Sequence, residues 1–262
     1  VRRSGVPPMT LERYLKAAER ENTQRSYASA LRHFEVEWGG HLPATPDSVA
    51  RYLADHAALL ANNTLRQRLA ALASWHHEHG FVDPTRAPLV RKVLKGIQTV
   101  HPSVEKQAEP LQLTRLTQVD DWLRTAISVA RERGDRADEL RHRRDRSLIL
   151  LGFWRGFRGD ELIRVQVEHL RLVPGDGMTC FLPRSKGDRQ ASGTSYKVPA
   201  LSRLCPVTAI VDWTTTAALT EGRLFRGIDR WGRVSETPLH PNSLIPLLRR
   251  LLTAAGLPDA EE

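Results

Sequence analysis

Apolar residues in the first hundred positions recur at helical spacing, with short breaks between the apolar runs. A first helix is predicted over Leu11–Arg20, and a second runs from a Thr23 cap through Leu31 and Phe34 toward Trp38, where Gly39-Gly40 ends it. Another opens at Pro46-Asp47, a fourth is capped by Asn63 or Thr64 and ends at Gly80, and a fifth starts at Pro88. The pattern contains no competing strand signal, so residues 1–100 are predicted to form a compact all-α domain.

The pattern breaks between residues 101 and 113. This stretch reads HPSVEKQAEPLQL, with two prolines, mixed charge and no periodicity. Such a composition is typical of an interdomain linker. A second domain is therefore predicted over residues 114–262.

The second domain is predicted to mix helices with a few short strands. Helices are expected over 117–133, 138–154, 160–165 and 206–219, and a last one from Pro241 or Asn242 to Ala255. Three β-rich runs at 170–173, 178–182 and 195–199 are separated by Pro174-Gly175-Asp176-Gly177 and by a turn over 185–193, so they predict a three-stranded antiparallel sheet. A glycine-containing loop is expected over 226–233. The fold class is mainly α: an all-α first domain and an α+β second domain.

The composition narrows the range of possible functions. The net charge is +9, and all but six of the 39 basic residues are arginine, which favours a polyanionic partner such as nucleic acid. No apolar run reaches the length of a membrane span. The two cysteines make neither a disulfide framework nor a metal-binding spacing, so a cytoplasmic protein without metal or cofactor is expected.

The stretch from Gly152 to Leu162, GFWRGFRGDEL, carries the sharpest chemical signal. An apolar helix ends at a glycine-bearing turn, Arg158 follows, and a new helix starts. Glu161 lies three residues later and can fold back onto Arg158. A guanidinium fixed at such a junction suits one phosphate group, and the alternative is a structural Arg–Glu pair that closes the corner.

A lysine on the second turn of the predicted sheet is the next candidate. Lys186 lies in Ser185-Lys186-Gly187-Asp188 and would project beside the strands, whereas the simpler interpretation is a solvated turn lysine. Lys197, on the following strand, is the alternative candidate.

These segments resemble the tyrosine recombinases, the phage-integrase family. The G-x-R-x-x-E-L setting of Arg158 before three strands is similar to the family's first arginine box, and Cys205-Pro206 opens a helix as in the family. The resemblance implies that Arg158 contacts the scissile phosphate and that Glu161 supports it. It also implies that Lys186 protonates the leaving 5′ oxygen as a general acid. Arg155 is a weaker competitor for the role of Arg158.

The first domain resembles the family's core-binding domain, whose helices lie against double-stranded DNA. Thr23-x-Arg25-x-Tyr27 and the run from Asn63 to Leu72 carry that resemblance. Side chains in the first helical turns can meet phosphates, although capping alone also explains the threonine and asparagine. The candidate DNA-binding residues are Thr23, Arg25, Asn63, Thr64, Arg66 and Arg68.

Two other polar clusters allow competing interpretations. His76 and His79 lie one turn apart, but no second ligand cluster accompanies them, so no metal site is expected. The segment 141–146, RHRRDR, is either a phosphate-binding stripe or the solvated face of a helix.

Several parts of the family's active site have no counterpart in the 262 residues. The family's chemistry is attack by a tyrosine on the DNA phosphate, without metal or nucleotide, and it needs an H-x-x-R box and a nucleophilic tyrosine near the end of the chain. None of Tyr14, Tyr27, Tyr52 and Tyr196 lies in that place. The sequence is therefore expected to stop before the residues that cut DNA and to be inactive in cleavage alone.

Three function hypotheses follow. The chain is a truncated recombinase, a catalytically dead accessory that binds recombination sites, or a helical DNA-binding regulator without recombinase ancestry. A homo-oligomer on DNA is expected for the complete recombinase.

Overall fold

A computed structural model of the chain describes residues 21–102, 109–173, 176–183 and 192–257. It divides into two compact units, Val1–Lys106 and Gln107–Glu262. No helix in these described ranges is long and apolar enough to cross a membrane.

Every regular element in the described part of the first unit is a helix. Helix α1 covers Glu21–Arg32 and runs on as a π-helical turn, His33–Glu37, and it is followed by α2 (Pro46–Asp55), α3 (Asn62–Glu78), a 3₁₀ turn (Pro84–Arg86) and α4 (Pro88–Val100). Thr45 caps α2, because its hydroxyl accepts the backbone N–H of Ser48 at 3.2 Å. The apolar faces of these helices enclose one core built on Phe34, Val49, Tyr52, Leu53, Leu65 and Leu72.

The second unit is organised around one long helix. Its helices are α5 (Leu113–Glu132), α6 (Arg136–Arg155), α7 (Gly159–Arg164), α8 (Pro206–Thr216) and α9 (Leu244–Ala254). Helix α6 packs against both α5 and α8. The side chain of Asp135 accepts the N–H of Asp138 at the start of α6, and Gly156 ends the helix in the left-handed conformation, at φ 61°.

A three-stranded antiparallel sheet lies between α7 and α8 in the chain. Its strands are β1 (Leu170–Val173), β2 (Gly177–Leu182) and β3 (Thr194–Pro199), in the order β1-β2-β3. One face of the sheet is buried, with Met178, Cys180, Leu182 and Val198 in the core of the unit. The predicted strands and the mainly α fold class are confirmed.

A second sheet replaces the loop predicted over 226–233. Strands β4 (Arg226–Ile228) and β5 (Val234–Pro238) pair antiparallel, with an irregular register. The Asp229 carboxylate fixes the turn between them by accepting the N–H groups of Trp231 and Arg233, each at 2.9 Å. The loop prediction was wrong because β4 has only three residues, one of them a glycine, too few to show alternation.

The basic segment 141–146 is neither of the two surfaces predicted for it. Arg144, Asp145 and Arg146 are buried in α6. The Arg146 Nε lies 2.6 Å from Oδ1 of buried Asp120, and the Arg144 Nε lies 2.8 Å from Oδ1 of Asp145. Burial of a charge requires such a partner. The Arg146–Asp120 pair joins α6 to α5, whereas the Arg144–Asp145 pair lies within α6.

Candidate phosphate-binding corner and nucleic-acid interface

Arg158 lies at the corner between α6 and α7. The left-handed Gly156 ends α6 and lets the chain turn, and Arg158 then adopts an extended conformation directly before α7 begins. Because it does not lie along a helix face, its side chain reaches solvent and is 62% exposed.

The buried carboxylate of Glu161 holds this corner in place. Its side chain is only 9% exposed. One carboxylate oxygen accepts the backbone N–H of Arg158 at 3.0 Å, and the other accepts Nη1 of the same arginine at 3.1 Å. The carboxylate therefore holds both the backbone and the guanidinium of Arg158, while the exposed face of the guanidinium can donate to a phosphate.

The structure describes only one of the two lysine candidates. Lys186 lies outside the described residues, so its role as general acid stays a prediction. Lys197 is exposed on β3. Its neighbour Tyr196 packs against the core, and because successive strand residues point to opposite faces, Lys197 lies on the opposite, solvent-facing side of the sheet.

In the first unit, several DNA-binding candidates are exposed near the starts of two helices. Thr23 and Arg25 are exposed in the first described turn of α1, and Asn63 and Arg66 are exposed on α3. The Asn63 side-chain oxygen accepts Nη1 of Arg66 at 3.3 Å. Thr64 is half-buried.

The predicted cap of α3, at Asn63 or Thr64, was wrong by two or three residues. The helix begins at Asn62, and Ala61 precedes it without a side-chain cap. The Asn62 amide instead donates to the carbonyl of His101 at 3.0 Å, a partner 39 residues away that local sequence does not reveal. Asn63 and Thr64 therefore lie in the first turn, whereas Arg66 and Arg68 lie beyond it.

A side-chain contact joins α1 to α3. The Gln67 amide donates to the carbonyl of Ser26 at 3.1 Å and to its hydroxyl at 2.8 Å. Gln67 is the sixth residue of α3, and Ser26 is the sixth described residue of α1, so the contact brings these two parts of the helices together. The exposed candidates on both helices thus belong to one part of the unit.

Arg68 is separate from those candidates. It is half-buried, its Nε is buried without a hydrogen bond in the described structure, and its charge acts on His33 and Tyr52. The Tyr52 hydroxyl lies 2.8 Å from Nδ1 of His33. Burial first, and then the Arg68 charge, lower the pKa of His33, and burial raises the pKa of Tyr52.

The histidine pair on α3 is occupied by backbone groups. Nε2 of His76 accepts the N–H of Ala44 at 2.8 Å, and its Nδ1 lies 2.7 Å from the carbonyl of Leu72. His79 bonds the carbonyl of Trp75 in the same way, at 2.8 Å. Across the described ranges, no group of three or more histidine, cysteine or acidic residues could hold a metal ion.

The contact between Arg155 and Tyr196 was not predicted from the sequence. The Arg155 guanidinium carbon lies 5.2 Å from the centre of the Tyr196 ring, and Phe157 packs edge-on against the same ring. Tyr196 is 41 residues from Arg155, so no local pattern could have shown the contact.

Comparison with known proteins supports the family resemblance. No protein-family model matches the chain. The chain is 27% identical over 258 residues to a protein from Selenomonas ruminantium described as "Integrase/recombinase xerD homolog", and the match covers 95% of this chain and 72% of that protein. The match spans both units, and so covers the corner at Arg158 as well as α1 and α3. Together with the confirmed fold, this similarity supports the resemblance of the chain to the tyrosine recombinases.

Proposed function

We propose that the chain takes part in site-specific DNA recombination: it binds duplex DNA through both units and holds a backbone phosphate at Arg158. The observation that carries this proposal is that the side chain of Arg158 is exposed and yet held in one orientation. Arg158 is 62% exposed, yet a carboxylate that is itself buried orients it. An exposed guanidinium that is already oriented loses little entropy when it binds a phosphate.

Helices α1 and α3 would supply the contacts of the first unit. Thr23, Arg25, Asn63 and Arg66 are exposed near the joined starts of these helices, where hydroxyl, amide and guanidinium groups can donate to phosphates. Thr64 is a weaker contact and Arg68 a supporting residue, because both are half-buried. The net charge of +9 favours the same partner.

The chemistry that the family resemblance implies gives the corner at Arg158 a role in phosphodiester exchange. In a phosphodiester exchange, Arg158 would stabilise the negative charge that develops on the phosphate, and Lys186 would protonate the leaving 5′ oxygen. Glu161 acts through Arg158 and is a positioning residue. Homo-oligomers on DNA are proposed for the complete recombinase, and no metal or cofactor enters these steps.

A polypeptide of these 262 residues is proposed to bind DNA without cutting it. The Tyr52 side chain is fully buried, and its hydroxyl bonds His33. Tyr27 lies on α1, Tyr196 lies half-buried against Arg155 and Phe157 on β3, and Tyr14 is outside the described residues. This favours, as second candidate, a DNA-binding accessory without cleavage activity. A regulator without recombinase ancestry is disfavoured by the similarity over 95% of the chain.

Fluorescence anisotropy with a labelled 30-base-pair duplex tests the binding proposal. The wild-type chain should bind with an affinity that falls steeply as salt rises, and R158Q should weaken binding about tenfold, the loss of one charge-assisted hydrogen bond. R86Q is the matched control, since Arg86 is a highly exposed arginine paired with Asp83 outside the proposed surface. Absence of wild-type binding, or equal losses in R158Q and R86Q, would contradict the proposal.

A nicked duplex that traps a covalent intermediate tests the second proposal. We expect no covalent protein–DNA adduct on a denaturing gel with the 262-residue chain. An adduct would show that one of its own tyrosines is a nucleophile.

A further inference from the structure

Arg155 is the last residue of α6 and lies three residues before Arg158 in the chain. Its guanidinium lies over the Tyr196 ring at 5.2 Å, and its Nε is buried. Within the described part of the chain, Arg155 makes neither a hydrogen bond nor an ion pair. Arg158 and Arg164, at the same corner, each have a carboxylate, from Glu161 and Asp160 respectively.

The ring beneath Arg155 is itself fixed. Phe157 packs edge-on against Tyr196, with ring centres 5.0 Å apart and an interplanar angle of 84°. Tyr196 also pairs across the sheet with Cys180, which is buried. The Arg155 charge lowers the pKa of the Cys180 thiol, against the larger opposite effect of burial. The aromatic pair therefore forms a platform that holds the guanidinium near the corner without neutralising it.

The charge of Arg155 is available to an anion. A guanidinium that lies over an aromatic face can still donate hydrogen bonds through its edge. An unpaired, partly buried donor is costly unless a ligand satisfies it. No neighbouring carboxylate in the described structure offsets this charge.

We infer that Arg155 is a second phosphate-binding residue of the corner and contacts a backbone phosphate of the duplex held at Arg158. This inference rests on the proposed function. Duplex DNA presents a phosphate at every nucleotide of each strand, so two guanidiniums at one corner can contact phosphates of one backbone. The alternative is that Arg155 only covers the Tyr196 ring and has no role in binding.

The salt dependence of DNA binding distinguishes these roles. Anisotropy titrations of the 262-residue chain with a 30-base-pair duplex, at several salt concentrations, count the phosphates that the protein neutralises. R155Q should lower the slope of log K against log salt by about 0.9, as the loss of one phosphate contact does, and should weaken binding about tenfold. R164Q is the matched control, since Arg164 lies on α7 at the same corner and is paired with Asp160.

The outcomes separate this inference from the proposed function. A wild-type slope in R155Q, with a loss in R158Q, would overturn the role of Arg155 and leave the proposed function standing. Absence of wild-type binding to the duplex would instead overturn the proposed function itself.

A second variant decides the question if R155Q does not fold. Y196L removes the ring beneath Arg155 and keeps its charge. We expect weaker DNA binding with an unchanged salt slope, because the guanidinium remains but is no longer positioned. Wild-type affinity in Y196L would overturn the inference.

Discussion

Replacing Glu161 tests how the corner at Arg158 is built. E161Q keeps an oxygen that can accept the backbone N–H of Arg158 but removes the charge. E161A removes the acceptor altogether and leaves that N–H without this carboxylate. Because the Glu161 side chain is only 9% exposed, water replaces the lost acceptor poorly.

The expected magnitudes follow from the two contacts of this carboxylate. Its contact with the guanidinium spans 3.1 Å, but Arg158 is largely exposed, so that ion pair contributes only about 0.5 kcal/mol. The backbone N–H bond at 3.0 Å to a buried carboxylate contributes about 2 kcal/mol. We therefore expect a loss of about 1 kcal/mol in the free energy of unfolding for E161Q and about 3 kcal/mol for E161A.

Thermal unfolding followed by circular dichroism measures both losses. At about 3 °C per kcal/mol, Tm should fall by about 3 °C in E161Q and about 9 °C in E161A. D160A is the matched control, because Asp160 is the preceding residue and its ion pair with Arg164 is exposed on both sides, so its Tm should change by about 2 °C or less. Equal losses of stability in E161A and D160A, or in E161A and E161Q, would contradict the role of the Glu161 carboxylate in holding Arg158.

Three further results are expected. D120A leaves buried Arg146 without its carboxylate, so urea unfolding should show a loss of about 3–5 kcal/mol in the free energy of unfolding. The control Asp121→Ala, at an exposed position, should change this free energy little. Equal small effects of the two substitutions would contradict the buried pair. Burial is the largest cause of the lowered pKa values of His33 and His142. The folded protein thus binds fewer protons than the unfolded chain, and the free energy of unfolding should fall as pH drops below about 6.5; a rise would contradict this. Burial raises the pKa of Cys180 to about 12, so this thiol should resist alkylation at pH 8 until the protein unfolds, and rapid labelling of the folded protein would contradict its burial.

Local patterns predicted the parts of this fold that depend on local interactions. The strands β1 to β3 matched within one residue, because turn residues bound them and β-rich runs fill them. The corner was also predictable, since Glu161 lies three residues from Arg158 and the contact between them closes within one turn.

Long-range contacts set the features that the sequence did not reveal. The basic segment of α6 resembles a solvated face, yet Arg146 meets Asp120 from 26 residues away and Asp145 meets Arg250 across 105 residues. Charge periodicity alone cannot show that a partner on another helix permits burial. The platform beneath Arg155 has the same origin, because Tyr196 reaches it only through the pairing of the sheet.

A tethered iron chelate tests most directly whether the corner at Arg158 faces bound DNA. An iron chelate attached through R164C lies at the corner, and one attached through E132C lies at the end of α5 that leads into the start of α6. A 20-residue helix spans about 30 Å, so the second label is near the opposite end of α6 from Arg155. We expect the chelate at position 164 to cleave a bound duplex and the chelate at position 132 to give only background cleavage. Background cleavage from both positions, or stronger cleavage from position 132, would contradict a phosphate-binding role for Arg158.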